Sequence, residues 1–168
     1  MPKIEKIKKR HFLKKKEQKA EIIRIENELG TCVSKLDEKD QFETGILDDG
    51  TKVLMLKNEI LFFEKAGKLF PSLHALLKEI VAIPRISVDM GAIRFVVNGA
   101  DIMRPGVVSI DDDISADSVV AIVDERHGKP LAVGQALMDS ASMRNAEKGK
   151  IVKSIHHVND YLWDFTKS

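Results

Sequence analysis

Apolar residues recur at helical spacing over one extended stretch of this chain, residues 14–29. Beyond Gly30 the spacing shifts to short runs of branched residues separated by turns. Within 14–29, strong helix formers surround Ile22, Ile25 and Leu29, and Gly30 stands where a helix would stop. Residues 31–36, 42–47, 51–56 and 60–63 then read as strands. Asp49-Gly50 is a hairpin signal and Lys57-Asn58-Glu59 is turn-like. Pro71 is placed to open a short apolar helix through Leu77, because proline fits the first helical turn. One helix followed by many short strands predicts an α+β chain.

Pro84 lies at the midpoint of the chain, ahead of a strand-like run at 85–88, and marks a domain boundary. The expected division is a small α/β domain with a basic lead-in over residues 1–84, and a second domain over 85–168. In the second half a short helix is expected over 90–97, then strands at 102–103 and 107–110, an acidic loop at 111–113 and a strand at 119–123. A hairpin over Arg126-His127-Gly128 leads to a strand at 131–137. Ser140 can cap a helix reaching Lys148, Gly149 can end it, and segments 151–158 and 162–165 close the chain. Short strands with glycine turns and two small helices suggest a compact, barrel-like module.

Among 168 residues, 43% are hydrophobic, which is ample for a packed core. No apolar run approaches the roughly 20 residues that span a bilayer. The basic start lacks the apolar core of a secretory leader, so a cytoplasmic protein without membrane partners is expected. Cys32, the single cysteine, cannot form an internal disulfide and is expected to be a small buried residue. Net charge is +1, but it is unevenly placed. Residues 1–30 carry ten Lys/Arg against five Asp/Glu, residues 31–84 seven against nine, and residues 85–168 ten against twelve. A basic end on a slightly acidic chain attracts phosphate.

Catalytic signatures are missing. No stretch gives the glycine pattern of a phosphate loop or a dinucleotide fold, no G-x-S-x-G is present, and the acidic turns lack calcium-loop spacing. His156-His157 is the conspicuous titratable pair, but neighbours on a strand face opposite ways and cannot share one metal. No metal, no cofactor and no catalytic residue are therefore expected, and Trp163 is read as a core side chain.

DMGAIRFVVNGADIMRPGV at 89–107, AVG at 132–134 and IHHVNDYLW at 155–163 resemble the PUA domain, the RNA-binding module named for pseudouridine synthases and archaeosine transglycosylases. With ILFFEKAGKLFPSLHALL at 60–77 ahead of it, the whole chain resembles the MCT family (multiple copies in T-cell lymphoma), translation factors related to ligatin. Its compact length and Ile/Lys-rich composition suggest an archaeal member. The resemblance implies a pre-PUA domain followed by a PUA pseudobarrel with two short helices. It implies a monomeric, non-catalytic factor that binds structured RNA (tRNA at its acceptor end, or rRNA), with the small ribosomal subunit or a protein as further partner. The alternative is an accessory subunit of an RNA-modification enzyme.

The positions that match the PUA RNA surface are Gly91, Ala92, Asn98, Gly99, Ala100, Asp101, Met103, Arg104, Pro105 and Gly106, with Arg94, His156 and Asn159 beside them. Glycines there would let an RNA backbone approach, and Arg104 and Arg94 would meet phosphate. In the basic lead-in, Lys8, Lys9, Arg10, Lys14, Lys15, Lys16 and Lys19 are expected to draw in phosphates without regard to sequence.

Overall fold

A computed structural model of the chain describes residues 7–165. These fall into two compact units, residues 7–82 with 161–165, and residues 83–160.

The first unit is a five-stranded antiparallel sheet in the order β1-β2-β3-β4-β5, built from β1 (Lys8–Phe12), β2 (Glu43–Ile46), β3 (Lys52–Leu56), β4 (Glu59–Lys65) and β5 (Lys68–Pro71). Helix α1 (Lys15–Leu29) has its Lys14 N–H accepted by the Glu17 carboxylate at 3.0 Å, and it ends at Gly30. It buries Ile25 completely, and Ile22 and Leu29 pack on the same core as Leu54, Phe62 and Leu69. That helical stripe is the one the sequence periodicity marked.

Three expectations change in this unit. Residues 31–36 form no strand. Their N–H groups find single partners instead, Val33 on the Glu26 carboxylate at 2.9 Å and Ser34 on the Ile80 carbonyl at 2.9 Å. Cys32 is accordingly exposed rather than buried. Pro71 does not open a helix; it ends β5, opposite Phe62. Buried Ser72 caps α2 (Leu73–Leu77) instead, accepting the Ala75 N–H while its hydroxyl donates to the Ile60 carbonyl at 2.7 Å. Strand β5 is a further element that the residue pattern does not signal. Ala66 and Gly67, both at positive φ, make the tight turn that pairs it with β4.

The second unit is a six-stranded sheet, β7-β11-β10-β9-β6-β8. Its strands are β6 (Arg85–Val88), β7 (Ile102–Met103), β8 (Val107–Ile110), β9 (Val119–Asp124), β10 (Pro130–Ala136) and β11 (Lys150–His157). β6 and β9 are parallel and every other pair is antiparallel. A single 3-10 turn, Arg104–Gly106, joins β7 to β8, the two outermost strands, so the sheet curls into a nearly closed pseudobarrel. Ile86, Val88, Val120, Ile122, Ala132, Ile151 and Val152 fill it. Gly134 is required where β10 meets β11: a Cβ there would stand 2.7 Å from the Lys153 carbonyl and collide with Val152.

Two short helices complete this unit, α3 (Ile93–Val96) and α4 (Ser140–Asn145). The expected helix over 90–97 shrinks to the single turn of α3. Helix α4 is capped by Asp139, whose carboxylate accepts the Ser142 N–H at 2.8 Å, one residue before the expected cap, and it stops short of Lys148. Ser140 instead donates to the Asp111 carbonyl at 2.6 Å. The last helix, α5 (Tyr161–Asp164), groups with the first unit, whereas the sequence reading put it in the second. There Trp163 is half-buried and stacks on His74 with ring centroids 4.7 Å apart.

Candidate nucleic-acid interface

In the second unit, the segment between β6 and β8 folds back on itself. Asp89 accepts the Ala92 N–H at 2.9 Å and donates its own N–H to the Gly106 carbonyl at 2.9 Å, tying the loop before α3 to the 3-10 turn. Between them lies a cleft of about 440 Å³. Seven of the expected RNA-contacting residues line it: Gly91, Ala92, Ala100, Asp101, Met103, Pro105 and Gly106. Glycine, alanine and proline make part of the wall, Val88, Val96, Ile102, Asp89 and Asp101 complete it, and the exposed apolar groups at or near it are Met90, Phe95 and Met103, the last two 54% and 49% accessible.

Arg94, Asn98 and Gly99 flank this cleft without lining it. Arg94 sits over the Phe95 ring, 4.8 Å from its centroid, and the Asn98 amide donates to the Arg94 carbonyl at 2.7 Å. Gly99 holds φ +90°, and a Cβ on it would lie 2.9 Å from Nε2 of His157, so the imidazole packs directly on the glycine.

Three of the expected contact residues are engaged inside the fold. Arg104 does not point outward to meet phosphate: its Nε donates to the Met143 carbonyl at 2.8 Å and a terminal nitrogen to that of Val107 at 3.3 Å. His156 is fully buried with Nδ1 2.7 Å from the Asp160 carboxylate, which withholds its side chain from any bound RNA. Asp101 accepts the Ser154 N–H at 2.8 Å and pairs with Lys150 at 2.8 Å. Burial alone would raise its pKa, but Lys150 and the Ser154 N–H together bring it below the ordinary carboxylate value. Asn159 is exposed in the turn that follows β11, at φ 71°.

Phe95 and Met90 escaped the sequence reading. Ile93, Val96 and Val97 form the inward stripe of α3, and Phe95 falls off that stripe. An aromatic residue turned away from a one-turn apolar face is the signal that would have found it.

In the first unit, Lys8, Lys9, Lys14, Lys15, Lys16 and Lys19 are all exposed. Arg10 is not available in the same way. It forks onto Glu43 at 2.7 and 2.8 Å and donates to the Asn58 side chain at 2.8 Å. Its hydrogen bonds hold the Glu43 carboxyl below its usual range despite partial burial. Among the described residues no group of three His, Cys, Asp or Glu is arranged to hold a metal ion, and no helix is long and apolar enough to cross a membrane.

Residues 84–158 match the PUA domain, and residues 9–79 match a domain of unknown function, DUF1947. Translation machinery-associated protein 20 of Saccharomyces cerevisiae is 35% identical over 134 residues, 76% of this chain and 74% of the yeast protein. Malignant T-cell-amplified sequence 1-A of Xenopus laevis is 38% identical over 116 residues, 67% of this chain and 64% of that one. The chain belongs to the MCT family. An uncharacterized archaeal relative from Methanocaldococcus jannaschii is 41% identical over 163 residues, spanning 95% of this chain and 98% of its own. The solved structure of a conserved PUA domain protein from Thermoplasma acidophilum superposes with a TM-score of 0.77 at 27% identity, covering 91% of this chain and 96% of that one. In this MCT-family chain the cleft lies wholly within the PUA match, whereas the exposed lysines, Lys8 excepted, lie at the start of the other.

Proposed function

We propose that this chain is a non-catalytic, cytoplasmic RNA-binding factor of the translation machinery. The PUA unit holds the acceptor end of a tRNA, and the first unit brings the complex to the small ribosomal subunit. The observation that carries this reading is the cleft beside α3. Gly91, Ala92, Ala100, Pro105 and Gly106 keep part of its wall low, so an RNA backbone can come close there, and the exposed Phe95 and Met103 offer surfaces for unstacked bases. An aromatic face accepts any base, which suits a single-stranded terminus better than a duplex. The exposed lysines of the first unit add attraction to phosphate. The name of the yeast relative, translation machinery-associated protein 20, supports the link to translation.

The test is binding of deacylated tRNA with its terminal CCA intact or trimmed, with purified small subunits assayed in parallel. The reading expects trimming to weaken binding about tenfold or more, and Phe95→Ala to remove the difference between the two RNAs. Equal affinity for intact and trimmed tRNA, with Phe95→Ala silent, would exclude the acceptor end as ligand.

A further inference from the structure

A second cleft, also of about 440 Å³, opens in the first unit and has no part in the reading above. Strand register shows how it forms. Residues directly opposite one another share a face, so one face of the sheet carries two rows: Ile46, Lys52, Glu64 and Leu69, and beside it His11, Thr44, Leu54 and Phe62. Helix α1 packs over the Leu54, Phe62 and Leu69 end of these rows. Ile46, Thr44, Lys52 and His11 are left facing a cleft walled on its helical side by Glu21 and Arg24.

The charge on its rim is lopsided. Arg24 engages both carboxylates, Glu64 through a direct ion pair and Glu21 at 3.6 Å. Lys9 and Lys52 line the same cleft, are exposed, and have no ion-pair partner among the described residues. An apolar floor with two unpaired cations at its mouth fits an anion that carries an apolar, flat body. Its volume lies within the roughly 300–1,000 Å³ typical of small-ligand sites. Lys14, Lys15, Lys16 and Lys19 are exposed in the same unit, which favours an extended polyanion over an isolated small one.

We propose that this cleft is a nucleotide pocket, which takes one unstacked base of a bound RNA against Ile46 and Leu54 and its phosphate on Lys9 and Lys52. The proposal rests on the RNA-binding reading above. It adds a place where the first unit grips RNA by shape as well as by charge.

The test uses the full chain with labelled methyl groups, titrated with a short oligouridylate and with a CCA-ended hairpin while NMR follows both clefts. Shifts of the Ile46 and Leu54 methyls, abolished by Lys52→Gln with an affinity loss of about tenfold, are the expected result. Ile46→Ser should remove the same response without changing the shifts of Ala92, Ala100 and Met103. Shifts confined to Ala92, Ala100 and Met103 would overturn the pocket and leave the RNA-binding reading standing. If neither set moves, both fail. Response of Ile46 and Leu54 to an acidic peptide but to neither RNA would also overturn the proposal, since the occupant would then be a protein.

Discussion

The two units divide between them what an RNA site needs. In the first, positive charge is plentiful and turned outward: six lysines of β1, α1 and the helix cap stand exposed, and of the seven expected cations only Arg10 is locked, onto Glu43. In the second, shape is built and the cations at the cleft are engaged, while Arg126, Lys129, Lys148 and Lys153 stand exposed elsewhere on the unit. Arg104 reaches backbone carbonyls, Lys150 holds Asp101, and Arg94 lies across Phe95. On the proposed reading the dense lysine run lies in one unit, and the cleft for an unstacked end lies in the other. Phosphate contacts position an RNA and base contacts discriminate, so each unit is expected to fail in its own way when altered.

The largest effect should come from the lysines. Replacing Lys8, Lys9, Lys14, Lys15, Lys16 and Lys19 with glutamine should flatten the slope of log affinity against log salt by about 4, at roughly 0.7 per phosphate contact on a single strand. Binding measured by fluorescence anisotropy across a salt series checks this. Arg10→Gln, by contrast, should leave that slope nearly unchanged, because its guanidinium is already engaged.

Next comes the fold of the second unit. Gly134→Ala forces a methyl against the Lys153 carbonyl and Val152, and overpacking of this kind costs about 1–3 kcal/mol. Denaturant unfolding followed by hydrogen exchange should locate the loss in β10 and β11, while amides of β2 to β4 stay protected.

Phe95→Ala should weaken RNA binding by about 1–3 kcal/mol, the typical value of one base stacked on an aromatic ring. Its side chain is 54% exposed, so thermal stability should move by no more than about 0.5 kcal/mol.

The smallest effect is a pH dependence. Asp101 titrates below the ordinary carboxylate range in the fold, so the stability it adds is fully present above about pH 4 and is lost as pH falls through its depressed native value. The gap in melting temperature between the parent chain and Asp101→Asn should therefore be constant from neutral pH down to about 4 and close below it.

Much of this was legible in the sequence, for physical reasons that can be named. The stripe Ile22, Ile25 and Leu29 announced α1 because one face of that helix is buried. The branched runs gave β3, β4, β9 and β10 because their residues are buried almost throughout. The resemblance of residues 89–107 to the PUA signature pointed to the cleft that Gly91, Ala92, Ala100 and Gly106 help to line. Hidden were matters of direction. Nothing local tells an outward Arg104 from one folded onto Met143, whose carbonyl lies 39 residues away. Nor does the pair His156-His157 reveal which ring is swallowed; the pairing of β11 with β10 and the buried Asp160 settle that. Residues 31–36 misled because their branched side chains suit a strand, while their N–H groups are claimed by Glu26 and Ile80.

The most direct test of this division is the salt dependence of RNA affinity for three proteins: the parent chain, the six-lysine variant and Phe95→Ala. Log Kd against log salt should give parallel lines for the parent and Phe95→Ala, offset by the lost base contact, and a much flatter line for the lysine variant. A flattened line for Phe95→Ala, or an unchanged slope once the lysines are gone, would contradict the separation of charge from shape.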